Sequence, residues 1–108
     1  MNVRLPQIIS DYVNASNAHD VNSTLACFSN KAIVHDEAQT LQGTEAIEGW
    51  IKKTIEKYKF HFLPLRTHGN EVEIVVAMKV SGTFDGSPVT LDYHFVTEDR
   101  KITSLVID

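Results

Sequence analysis

Three side chains in this sequence stand where their types suggest chemistry: Tyr12, Asp36 and Asp92. Asp36 closes the run "KAIVHD", residues 31–36, which reads as a short strand. Side chains alternate along a strand, so Asp36 shares a face with Ala32 and Val34, while His35 and Glu37 take the other. If the Ala32/Val34 face turns inward, the carboxylate is carried towards an apolar interior. There its pKa rises and it becomes a usable base near neutral pH. The plain alternative is a strand-end Asp in water. Tyr12 sits on the apolar stripe of a helix, and a buried phenol must find a partner; the alternative is a core Tyr with its hydroxyl at a rim. Asp92 lies between Leu91 and Tyr93, inside a β-rich stretch where Asp is depleted. Its alternative is an outward residue beside Thr90 and His94.

The other reactive types carry less. His19, His35, His61, His68 and His94 show no HExxH and no paired ligand spacing, so no metal site is expected. Cys27 falls on a helical stripe and reads as a core residue. The sequence has no Gly-rich phosphate loop and no GxSxG.

Three helices and an antiparallel meander must position these groups. Residues 5–17 carry Leu5, Ile8, Ile9, Tyr12, Val13 and Ser16 on a helical stripe, with Pro6 in the first turn. A second helix is expected over 21–29, capped by Asp20 and burying Val21, Leu25 and Phe28. Thr44 opens the third after Gly43; Ile47, Trp50, Ile51, Ile55 and Tyr58 form its apolar face, and Lys52, Lys53 and Lys57 the opposite side. From residue 59 the period switches to two. "KFHFLPLRTH" is a strand with Pro64 marking an edge or bulge. "EVEIVVAMKVSGTF", "VTLDYHFV" and "ITSLVID" follow, the first two joined at an Asp85-Gly86 hairpin signal. The fold expected is α+β, a curved antiparallel sheet wrapped over the three N-terminal helices, in one domain spanning 1–108. Leu91, Tyr93 and Phe95 alternate with Val96, and Ile102 and Val106 with Leu105 and Ile107. Apolar residues in both registers predict that both sheet faces are covered, one by helices and the other by a second copy in a homodimer.

Composition bounds the rest. With 108 residues and 43% hydrophobic content, one core can form. A net charge of −4, from 10 basic and 14 acidic residues, and the lack of a basic stripe disfavour nucleic acid. No apolar run reaches the roughly 20 residues of a membrane helix. "MNVRLPQIIS" does not read as a secretory signal, and a lone Cys suits a reducing, cytoplasmic setting.

The stretch "SDYVNASNAHDVNSTLACFSNKAIVHDEAQTLQGTEAIEGW" resembles the opening half of nuclear transport factor 2-like domains, and "LDYHFVTEDRKITSLVID" resembles their last hairpin. Within that superfamily the chain is most similar to SnoaL-like polyketide cyclases and ketosteroid isomerases. The resemblance implies a cone-shaped sheet, a cystatin-like α+β barrel, and assigns roles residue by residue. Asp36 matches the isomerase base, Tyr12 the tyrosine of the oxyanion hole, and Asp92 its second donor, nine residues before Lys101. The implied chemistry is cofactor-free: Asp36 moves a proton next to a carbonyl while Tyr12 and a neutral Asp92 donate to the oxygen. Phe28, Val34, Trp50, Phe62 and His94 are the expected ligand contacts, and the ligand is a small hydrophobic molecule. Ile51 stands where the isomerases usually carry a supporting tyrosine, and Glu37 where a proline commonly follows the base. These departures bear on steroid specificity more than on proton transfer. The alternative function is a ligand-binding or dimerisation module of the same fold without activity.

Overall fold

The chain's structure is a computed structural model describing residues 3–108. Helix α1, Gln7–Asn17, forms where the sequence sets apolar residues three and four apart, and it buries Ile9, Tyr12, Val13 and Ser16. Pro6 precedes it, and its carbonyl accepts from the Ile9 and Ser10 N–H groups. Helix α2, Val21–Leu25, starts at Asp20, whose carboxylate accepts from the Ser23 N–H at 3.1 Å and the Ser23 hydroxyl at 2.8 Å. These bonds hold the Asp20 carboxyl below its ordinary range.

That helix ends earlier than the apolar stripe predicts. The Cys27 carbonyl accepts from the Ile102 N–H, and Phe28 pairs with Ile102 at the start of strand β1, Phe28–Asp36. A two-residue turn, Glu37 and Ala38, both at positive φ, leads into β2, Gln39–Gln42, which the sequence did not announce. Helix α3, Thr44–Tyr58, starts after Gly43 (φ 89°) and stops at Lys59, whose left-handed backbone turns its N–H onto the Ile55 carbonyl.

Strands β3 (His61–Gly69), β4 (Glu73–Ser81), β5 (Val89–Glu98) and β6 (Lys101–Ile107) complete a six-stranded sheet in the order β2-β1-β6-β5-β4-β3. All pairs are antiparallel except β1 with β6. Pro64 fits as expected: β3 is an edge strand and its register shifts between Pro64 and Arg66. Between β4 and β5 the Asp85-Gly86 signal makes no two-residue hairpin. It lies within the loop 82–88, where the Gly82 N–H donates to Ser87 Oγ and the Thr83 N–H to the Tyr58 carbonyl.

The inner sheet face supplies Val34, Phe62, Val76, Met78, Tyr93, Phe95 and Leu105, packed against Ile9, Tyr12, Ile47 and Ile51. Each such side chain contributes roughly 1.5–3 kcal/mol by leaving water. Asn17 fastens α1 to β3 with two bonds: its amide donates to the Phe62 carbonyl at 2.9 Å, and its oxygen accepts from the Phe62 N–H at 2.7 Å.

The last strand corrects one inference. β6 changes register against β5, with Val96 opposite Ser104 and Thr97 opposite Ile102. The extra residue, Thr103, flips the alternation, so Ile102, Leu105 and Ile107 all serve the inner side. The bulge therefore accounts for Ile102, Leu105 and Ile107 lying in two registers, and Val106 alone of the apolar set faces out. Val75, Val96 and Val106 remain on the outer face, half-buried. No helix among the described residues is long and apolar enough to cross a membrane.

Candidate functional site

Between the curved sheet and the helices lies a cavity of about 370 Å³. Its walls are aromatic: Tyr12 from α1, Trp50 and Tyr58 from α3, Phe60 and Phe62 at the start of β3, and Tyr93 from β5. Phe84 and Asp85, from the loop 82–88, also line it. The volume sits at the lower end for small-molecule sites.

Asp36 reaches this cavity as the strand alternation predicts. Ala32 and Val34 are fully buried, and Asp36, next on the same face, is half-buried where β1 leaves the core. Trp50 Nε1–H donates to Asp36 Oδ2 at 2.9 Å. Loss of hydration raises the Asp36 pKa above the ordinary carboxylate value. The Trp50 bond opposes that rise, the neighbouring Glu37 charge adds to it, and the Glu37 N–H opposes it again. The result is an ionisable group favouring its neutral form more than a surface Asp does, yet held by one charge-assisted bond.

Tyr12 is buried at 2% exposure with its ring edge-on to Phe28 (5.8 Å between centroids) and Phe95 (5.5 Å). Burial drives its phenol far above the ordinary range; a Ser16 hydrogen bond works the other way, and the Asp36 charge adds to the rise. Tyr12 is therefore a neutral donor at any physiological pH.

Asp92 is elsewhere. Leu91, Tyr93 and Phe95 point inward, so Asp92 and His94 project from the outer face. Asp92 is exposed, and His94 Nε2 meets Asp108 Oδ1 at 2.9 Å. Neither the expected second donor nor the expected His94 ligand contact faces the cavity. Asp92, His94 and Asp108 offer donor atoms within 4.8 Å of one another, but they lie on this open outer face, away from the cavity. Of the other expected contacts, Trp50 and Phe62 line the cavity, whereas Phe28 and Val34 pack in the core without lining it.

Tyr93 is the residue that the sequence reading passed over. It is 4% exposed, lines the cavity, and has its phenol pushed well above the ordinary value by burial, with Tyr12 and Asp36 adding to the shift. The signal was present: Tyr93 continues the inward series Leu91, Tyr93, Phe95, and only the neighbouring Asp drew attention away. Glu37, exposed at the cavity edge, accepts a hydrogen bond from the Tyr58 hydroxyl. Cys27 is buried, its thiol pushed up to about 11 chiefly by burial, so it is no nucleophile at neutral pH.

Comparison with known proteins gives one sequence family and many structures. The SnoaL-like domain model matches residues 9–105. None of the curated proteins matches the chain. A crystal structure from Sinorhizobium meliloti, provisionally described as a polyketide cyclase, is 35% identical with a TM-score of 0.92, covering 96% of this chain and 95% of that one. A Catenulispora acidiphila protein with a ketosteroid isomerase-like fold, in complex with trimethylamine, is 20% identical with a TM-score of 0.83, covering 97% and 86%. A computationally designed 17-OHP binder is 16% identical with a TM-score of 0.80, covering 94% and 87%.

Proposed function

The chain belongs to the SnoaL-like domain family, within the nuclear transport factor 2-like fold, and from that premise we propose that it catalyses cofactor-free proton transfer on a small hydrophobic carbonyl compound. One observation carries the reading. A half-buried carboxylate, Asp36, opens into an aromatic cavity that it shares with the neutral phenol of Tyr12. In this reading Asp36 takes a proton from the carbon next to the carbonyl. Negative charge then develops on the carbonyl oxygen, and Tyr12 donates to it. The raised pKa suits Asp36 to hold the proton and return it to a second carbon. The polyketide cyclase description of the 35%-identical relative supports an acid–base role on a carbonyl substrate.

Isomerisation of a β,γ-unsaturated ketone tests this directly. Asp36→Asn is expected to lower the rate roughly 10²- to 10⁴-fold, the usual contribution of a positioned base. Equal rates for the two proteins would remove the assignment.

A second reading uses the cavity for binding alone, and the 17-OHP binder of the same fold supports it. It predicts ligand affinity without turnover, and affinity that survives Asp36→Asn. We also propose that a second copy covers the outer sheet face, over Val75, Val96 and Val106.

A further inference from the structure

We propose that Tyr93 is the second hydrogen-bond donor to the carbonyl oxygen, working beside Tyr12; this rests on the proton-transfer reading and adds a residue to it. The first ground is an accounting of the hydroxyls lining the cavity. Thr24 Oγ1 donates to the Asp20 carbonyl at 2.8 Å, Thr54 Oγ1 to the Ile51 carbonyl at 3.0 Å, and the Tyr58 hydroxyl to Glu37. Ser16 lies beside the Tyr12 phenol and lowers its pKa against the effect of burial. The Tyr93 hydroxyl makes no hydrogen bond to the described residues. A buried phenol ordinarily takes a partner. Among the described residues no enclosed side-chain polar atom lacks one, so the Tyr93 oxygen keeps open contact, and the space its residue lines is the cavity.

The second ground is placement. Phe62 and Phe95 hold both phenols. Phe62 lies 6.2 Å from the Tyr12 ring and 5.4 Å from Tyr93; Phe95 lies 5.5 Å from Tyr12 and 6.1 Å from Tyr93. The two tyrosines thus approach one cavity from α1 and β5 as rigid groups that need no reordering to donate. Asp36 enters the same space from β1.

The proton balance is complete without a co-reactant. The α C–H bond breaks and its proton passes to Asp36, while its electron pair forms the new C=C bond and the carbonyl π pair moves to oxygen. That oxygen has lone pairs for two donors, and both phenols keep their protons while donating. The enolate electrons then take the proton back from Asp36 at the γ carbon, giving the conjugated ketone.

An enolate mimic separates this role from packing. In the Asp36→Asn protein, which imitates the protonated base, affinities are measured for a 2-naphtholate and for naphthalene. Quenching of Trp50, the sole tryptophan and itself in the cavity wall, reports binding. Adding Tyr93→Phe should lower the preference for naphtholate over naphthalene by roughly 10- to 100-fold, the worth of one hydrogen bond to an anion. Naphthalene affinity should stay the same. An unchanged preference, or an equal loss for both ligands, overturns the role of Tyr93. If the preference falls with Tyr12→Phe alone, the proton-transfer reading stands without Tyr93; if naphtholate is never preferred, that reading falls too. Should Tyr93→Phe fail to fold, proton NMR of the Asp36→Asn protein gives the answer. A Tyr93 hydroxyl resonance moving downfield with bound naphtholate supports the role, and its failure to move overturns it.

Discussion

Replacing Trp50 by Phe tests how the fold tunes its carboxylate. Phe keeps a six-membered ring in the cavity wall and, along with part of the indole's bulk, removes the Nε1–H that donates to Asp36 Oδ2 at 2.9 Å. A hydrogen bond to a charged group contributes about 1.5–3 kcal/mol when sheltered. Asp36 is only half-buried, so screening by water argues for the low end, about 1.5 kcal/mol, or about tenfold in its protonation equilibrium. The direction follows from the balance at the site. Desolvation raises the pKa and Trp50 is the largest opposing influence, so its loss lets the pKa rise further. Carboxyl ¹³C NMR of Asp36 reads this titration directly, with no need for a substrate. In kinetics, the acid limb of the pH–rate profile should move to higher pH, with activity lost most at the acid end and retained above the new midpoint. A titration that stays in place, or moves to lower pH, would refute the claim that Trp50 holds Asp36 in its ionised form.

Other consequences can be checked on the folded protein. Because folding raises the Asp36 pKa, this group's contribution to stability is fully present below its unfolded value near 3.8 and is lost as pH rises through the folded value. Asp36→Asn should therefore raise Tm at pH 7 and bring little gain near pH 3; thermal melts at both pH values decide it. Asn17→Ala removes two bonds to the Phe62 backbone and should cost about 2–3 kcal/mol in urea denaturation, through bonds worth about 1 kcal/mol each and the stranded groups left behind. Ala38→Gly relieves a left-handed backbone (φ 63°) next to the candidate base and should stabilise by roughly 0.5–1 kcal/mol, after the entropy that Gly brings to the unfolded chain. Val106→Glu should turn a dimer into a monomer in light scattering; a wild type that is already monomeric at micromolar concentration removes the dimer proposal.

Much of this arrangement was legible in the sequence, and the failures at Asp92 and β6 share one cause. Helices α1 and α3 and the inward turn of Asp36 follow from periodicity, because burial of one face enforces it over many residues. Periodicity does not fix parity across a turn or a bulge. The resemblance assigns Asp92 its role nine residues before Lys101, and a one-residue difference in such a spacing moves a side chain through the sheet. The alternation within β5 decides the matter locally: Tyr93 lies between two inward residues, Leu91 and Phe95, and Asp92 lies between two outward ones. The same physics governs β6, where one inserted residue, Thr103, puts Ile102 on the same inner face as Leu105 and Ile107. α2 and β2 were misjudged for another reason. Each is too short for its own pattern to outweigh long-range contacts, here Phe28 against Ile102 and Gln39–Gln42 against β1.

The consequence for function is a different division of labour from the one the resemblance implied. A carboxylic acid serving as a donor must be kept neutral by an apolar site, and exposed Asp92 has no such site. A phenol needs no comparable tuning, since it is neutral at pH 7 even in water and burial only drives its pKa higher. In the proposed reaction, with Tyr12 and Tyr93 on the oxygen, Asp36 is the half-buried acid whose ionisation its surroundings tune. That makes Trp50 and the edge residue Glu37, rather than a second buried acid, the levers on the reaction's pH dependence.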